Sequence, residues 1–142
     1  MTVLVIDGQG GGIGRQIVEN IKKTYPEIVV TAVGTNVLAT QAMIKAGADH
    51  AATGENAAIV NCRTADIIIG PIGIVIADSL FGEITPKIAV SVAQSAADRI
   101  LLPMNLCNNY IAGCSQVNTS KLIEDCLNKI LNKINQKISR NC

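Results

Sequence analysis

The sequence predicts a single doubly wound α/β domain: five parallel strands, an antiparallel edge strand after them, and helices on both faces. Three observations predict it. The branched apolar run Val3-Leu4-Val5-Ile6 does not alternate, as suits a central parallel strand buried on both sides. The next stretch, Asp7-Gly8-Gln9-Gly10-Gly11-Gly12-Ile13-Gly14, holds five of the twelve glycines and leads straight into Ile13, Ile17, Val18 and Ile21 at helical spacing. Strand-like and helix-like segments then alternate, as parallel strands joined by helical crossovers require.

The elements follow in order. After the first helix, Tyr25-Pro26 breaks the pattern, and Ile28 to Val33 reads as the second strand, ending at Gly34-Thr35-Asn36. Leu38, Ala39, Ala42, Met43 and Ala46 form the stripe of a second helix that Gly47 ends. Asp49 to Ala52 is a short third strand, Thr53-Gly54-Glu55-Asn56 turns into a small helix through Cys62, and Asp66 to Ile69 is the fourth strand. A second glycine loop, Gly70-Pro71-Ile72-Gly73, opens a helical stretch through Phe81, with Pro71 near its start and Gly82 past its end. Residues 85–97 fit either state, since Ile88, Val90 and Val92 alternate while Thr85-Pro86 opens a helix. A strand ending near Val92 would leave only about six residues before Ile100, too few for a parallel crossover, so a helix is expected. Arg99 to Leu102 is strand five, Asn108 to Cys114 the returning edge strand, and Thr119 to Lys137 an amphipathic helix whose apolar face includes Leu122, Ile123, Cys126, Ile130 and Ile134. That helix should cover the sheet, with a homodimer contact as its second use and a membrane surface as its third. Residues 1–138 are thus expected as one nucleotide-binding domain and 139–142 as a frayed end.

Composition narrows the function. A chain of 142 residues with 49% hydrophobic content is long enough for one full core, and no run reaches transmembrane length or resembles a secretory leader, so a cytoplasmic protein is expected. Five irregularly spaced cysteines and the single His50 argue against a disulfide framework and a metal site, and His50 reads as structural. Seven basic against nine acidic residues precede position 120, and five against two follow it. With no Trp, one Phe and two Tyr, the body has neither a basic face nor stacking platforms, which sets nucleic acid aside.

The glycine turn carries the functional reading. Glycine lets the backbone approach a ligand, and the first N–H groups of the following helix lack partners and carry the positive end of its dipole. The spacing fails as GxGxxG but fits GxxxGxG through Gly8, Gly12 and Gly14, similar to the nucleotide loop of short-chain dehydrogenases, with Gly14 as the glycine packed between helix and strand. In dinucleotide sites an acid or Arg follows about 20 residues later at the end of the second strand. Neither is present. Thr35 and Asn36 stand there, and Asn36 fits a helix cap as well as a ribose ligand. The Tyr-xxx-Lys pair of those dehydrogenases is missing too, since Val29 follows Tyr25 and Cys114 follows Tyr110 at the required spacing.

Over nearly the whole chain the sequence resembles a family of short bacterial proteins of unknown function, through the DGQGGGIG opening at Asp7 to Gly14, the GTN strand end at Gly34 to Asn36, the ATGEN turn at Ala52 to Asn56, the GPIGI loop at Gly70 to Ile74 and a late Pro-x-Asn at Pro103 to Asn105. The resemblance implies a Rossmann-like domain and supplies no reaction.

The expected cofactor site is therefore Gly8, Gln9, Gly10, Gly11, Gly12, Ile13 and Gly14, with Thr35, Asn36, Gly54, Glu55, Asn56, Gly70, Pro71, Ile72, Gly73 and Asn105 around it. NAD or NADP comes first among ligands, with coenzyme A or another phosphate-bearing molecule behind. Asp7 repels a phosphate unless a metal or hydroxyl intervenes, which favours a turn-holding role over a ligand role. Glu55 is the freest acid or base, and Cys107 lacks a neighbour that would activate it. The leading function is a sensor or partner subunit that binds a small nucleotide or phosphorylated ligand. A structural homo-oligomer without ligand and a small NAD(P)-dependent or transferase-type enzyme are the alternatives.

Overall fold

Strand β1 (Thr2–Asp7) is the axis of the sheet. Its consecutive side chains point to opposite faces, so Val3 and Val5 enter one core while Leu4 and Ile6 enter the other, and all four are fully buried. In the computed structural model, which describes residues 1–104, 108–114 and 118–140, β1 pairs in parallel with β2 (Val29–Gly34) from Thr2↔Val29 to Asp7↔Gly34. On its other side it pairs with β4 (Ile67–Pro71) from Val3↔Ile67 to Val5↔Ile69. With β3 (His50–Thr53) beyond β2 and β5 (Asp98–Leu102) beyond β4, the all-parallel order is β3-β2-β1-β4-β5. The order reverses between β1 and β4, where doubly wound sheets open a crevice at the strands' carboxyl ends.

The helices divide between the faces. α1 (Gly12–Thr24), α2 (Val37–Lys45) and α5 (Thr119–Arg140) cover one core through Ile17, Val18, Ile21, Met43, Cys126 and Ile130. α3 (Glu55–Asn61) and α4 (Pro86–Gln94) cover the other through Ala58, Ile88, Ala89 and Val92. The ambiguous stretch 85–97 holds the expected helix over Pro86–Gln94: the Thr85 hydroxyl caps α4 by accepting from the Ile88 N–H at 3.2 Å, and Pro86 occupies the first turn. Gly47, at φ 103°, follows α2 in the left-handed conformation that ends a helix. α5 lays its apolar face on the sheet, is tied to it by Lys137–Asp66 (2.6 Å) and Lys133–Asp98, and runs to Arg140 instead of stopping at Lys137.

Two expected elements are absent. Residues 108–114 form turns, not an antiparallel strand: Asn108 and Gly113 have left-handed backbones (φ 64° and 79°), and Asn108, Asn109 and Tyr110 are exposed, so no apolar face holds the segment to the sheet. The helix expected through Phe81 is only a 3-10 turn at Ile72–Val75. Asp78, Leu80 and Phe81 beyond it have φ of 64°, 55° and 57°, which a right-handed helix cannot contain. Pro71 is the last residue of β4, and Gly82 (φ 85°) closes a loop instead of a helix.

Candidate functional site

The glycine turn divides into positions that packing demands and positions that it does not. A methyl group built on Gly14 would lie 2.6 Å from Met43 Sδ and 2.8 Å from Asp7 Cβ, and one on Gly8 would lie 2.7 Å from Thr35 Oγ1. Gly11 is left-handed (φ 70°), and its methyl would meet the Ala39 backbone at 2.6 Å. These three are glycine because strand, turn and helix touch there. Gly10 and Gly12 border open space, with nothing within 4 Å of the added carbon.

Asp7 holds the turn. Its Oδ1 accepts from the Gly8 N–H at 2.8 Å and its Oδ2 from the Gly14 N–H at 2.6 Å, so a side chain from the strand end caps the first turn of α1. At 4% exposure it is buried, and desolvation raises its pKa against the opposing pull of the Gly14 and Gly8 amides, with the Glu83 charge adding to the rise.

Glu83 is the second carboxylate in the crevice. It sits in the loop between β4 and α4, anchored on either side by buried Leu80 and Ile84. Its Oε2 accepts from the Gln9 N–H at 2.8 Å, while its Oε1 accepts from Asn36 Nδ2 at 2.6 Å and from the Thr35 hydroxyl at 3.3 Å. Asn36 is employed on every side: Oδ1 caps α2 through the Ala39 N–H at 2.9 Å, and Nδ2 also donates to the Gln9 carbonyl at 2.9 Å. The turn after β1, the end of β2 and the loop after β4 thus meet at one point above the reversal of strand order. Gln9, at φ 51°, holds the left-handed geometry that this meeting requires of it.

The match to a family model decides the chain's relations: residues 2–135 fit the Domain of unknown function (DUF3842). The chain belongs to the DUF3842 family. No curated protein matches it. Among solved structures, the DUF3842 chain is similar to a dodecameric FMN-dependent UbiX-like decarboxylase from Escherichia coli O157:H7, at 14% identity and a TM-score of 0.42, with 95% of each chain covered.

The other expected site residues of this DUF3842 chain are dispersed. Gly70 and Pro71 are buried strand residues, and a methyl on Gly70 would collide with the Ile6 carbonyl oxygen, so this glycine permits close approach of β4 to β1. Gly73 is buried against Ser79, and Ile72 is half-buried. Gly54 (φ 100°) caps α3, where Glu55 faces Lys87 at 4.0 Å and Asn56 is exposed. His50 is exposed on edge strand β3. Burial raises the thiols of Cys62 and Cys126 to about 11, so both are un-ionised at neutral pH. Asn105 and Cys107 lie outside the described residues. Among the described residues, no cluster of His, Cys, Asp and Glu is arranged to hold a metal, and no helix is long and apolar enough to cross a membrane.

Glu83 was missing from the sequence reading because residues 72–81 fit a helix with Gly82 as its stop, which hid the acid just past it. An acid in the connection after a strand next to β1 was the available signal, since such connections face the crevice. A separate concavity of about 540 Å³ lies between β5 and α5, lined by Ile100, Leu102, Leu122, Cys126 and Lys129, among others.

Proposed function

We propose that this domain binds a small phosphorylated or nucleotide ligand at the carboxyl end of β1, at the reversal of strand order, and acts as a sensor or partner subunit. The single observation that carries the reading is the pair Gly10 and Gly12. Packing gives neither a reason to be glycine, yet both face open space at the N-terminus of α1, where backbone N–H groups and the helix dipole favour an anion. Thr35 and Asn36 stand at the end of β2, beside that turn, and offer a hydroxyl and an amide to a polar ligand group. NAD or NADP remains first among candidates, followed by coenzyme A and other phosphate-bearing molecules. The two acids considered for catalysis already have partners: Asp7 serves the turn, and Glu55 faces Lys87.

The thermal midpoint of the protein against NAD, NADP, FAD, coenzyme A, S-adenosylmethionine, ATP and sugar phosphates tests this. A ligand at 100 times its Kd adds about 2.7 kcal/mol, which should raise the midpoint of a domain this size by roughly 10 °C. The rise should vanish in Gly12→Asp, which keeps the fold and places a negative charge where the phosphate would bind. No rise with any of them, in protein free of carried-over ligand, would favour the structural homo-oligomer.

A further inference from the structure

The Glu83 carboxylate is held as a bound anion would be. Three donors converge on it from two different elements: the Gln9 N–H in the glycine turn, and the Thr35 hydroxyl and Asn36 amide at the end of β2. Asn36 is held in place without Glu83, since its Oδ1 caps α2 and its Nδ2 also donates to the Gln9 carbonyl at 2.9 Å, and the Thr35 backbone is fixed by its N–H to the Asp7 carbonyl at 3.0 Å. The donor set is therefore a preformed receptor for a negatively charged oxygen group, and the chain fills it with its own side chain.

Glu83 is also poised to leave. Leu80 and Ile84 seat the loop in the core, and backbone bonds from Asp78 N–H to Ile84 O (2.7 Å) and from Gly82 N–H to Ser79 O (3.1 Å) close it, so the carboxylate can swing out with the backbone in place. The loop between those anchors has left-handed backbone at Leu80, Phe81 and Gly82, and Phe81 is 99% exposed. Non-glycine residues persist in this region only where the surroundings hold them, and such positions gather at clamps and switches. A phosphate carries more charge than a carboxylate and presents more acceptor oxygens, so it competes for the same donors. Two anions cannot share them, particularly with the Asp7 carboxylate beside them.

We propose that Gln9 N–H, Thr35 Oγ1 and Asn36 Nδ2 form the anion subsite of the crevice, and that Glu83 is its built-in occupant, displaced when a ligand phosphate binds. This rests on the reading of the crevice as a phosphate site. It makes Glu83 a self-inhibiting latch that sets a threshold for ligand concentration.

Calorimetric titration of inorganic pyrophosphate into the wild-type protein, Glu83→Ala and Glu83→Gln tests it. Removing the competing carboxylate should tighten pyrophosphate binding about tenfold or more in both variants, and adding Gly12→Asp to either should remove the gain. Glu83→Gln keeps the side-chain volume, so it gives the same readout if Glu83→Ala destabilises the loop. Affinity unchanged or weakened in both variants overturns the latch while leaving the phosphate site standing. Failure of all three proteins to bind pyrophosphate overturns the subsite, and the phosphate site falls with it only if the nucleotide panel also produces no midpoint rise in wild-type protein.

Discussion

Gly12 and Gly14 are two residues apart on the same helix and answer to different constraints. Gly14→Ala drives a methyl group to within 2.6 Å of Met43 Sδ and 2.8 Å of Asp7 Cβ, and should lower stability by about 1–3 kcal/mol, read as a shift of the denaturation midpoint. Gly12→Ala meets nothing within 4 Å and should leave the midpoint unchanged or slightly raised. The GxxxGxG spacing made Gly14 legible in the sequence as the glycine packed between helix and strand, and its methyl contacts bear that out, whereas the crowding at Gly8 and Gly11 was not legible, because it depends on which side of the turn faces Thr35 and Ala39. Asp7 shows the same limit. Its place beside the turn suggested a backbone-holding role, which the bonds from Gly8 and Gly14 bear out, yet its reach across to the helix requires the folded turn. Asp7→Ala leaves those buried N–H groups without their acceptor and should destabilise the protein by roughly 1–3 kcal/mol per group left unsatisfied.

At the scale of elements, β1, β2, β4 and most helices could be read because their apolar spacing reflects burial that the sheet imposes. α4 resolved correctly through the length of chain that a crossover needs. The stretch 72–81 did not, because its apolar residues mimic a helix while Asp78, Leu80 and Phe81 adopt left-handed backbones that no local pattern announces. Residues 108–114 failed for the opposite reason: the short link suggested a return, but the segment has no buried face. α5 was expected to cover the sheet, and it does so partly through charge. Burial pushes Asp66 up, but the Lys137 ammonium and the Thr2 amide outweigh it and hold the carboxyl below its ordinary value of 3.8. A depressed pKa contributes stability that is present above the unfolded value and lost as pH falls through the folded one. Docking of α5 should therefore weaken as pH drops below about 4, while Lys137→Met should reduce that acid sensitivity. Hydrogen exchange along α5 across that range would check both. Ile130, fully buried on the same helix, should cost about 2–5 kcal/mol when replaced by alanine, measured by denaturant unfolding.

At the scale of the whole molecule, the order β3-β2-β1-β4-β5 gathers onto one point residues that are distant in the chain: Gln9, Thr35, Asn36 and Glu83. The sheet places the crevice, the turn supplies glycines that packing leaves free, and Glu83 closes the circuit from across the reversal. The measurement that tests this account most directly is the change in backbone amide signals of isotope-labelled protein as the nucleotide that raises its thermal midpoint is titrated in. The account predicts that the shifts concentrate at residues 8–14, Thr35, Asn36 and Glu83. Shifts confined to β5 and α5, around Ile100, Leu122 and Lys129, would contradict it and place the ligand in the other concavity.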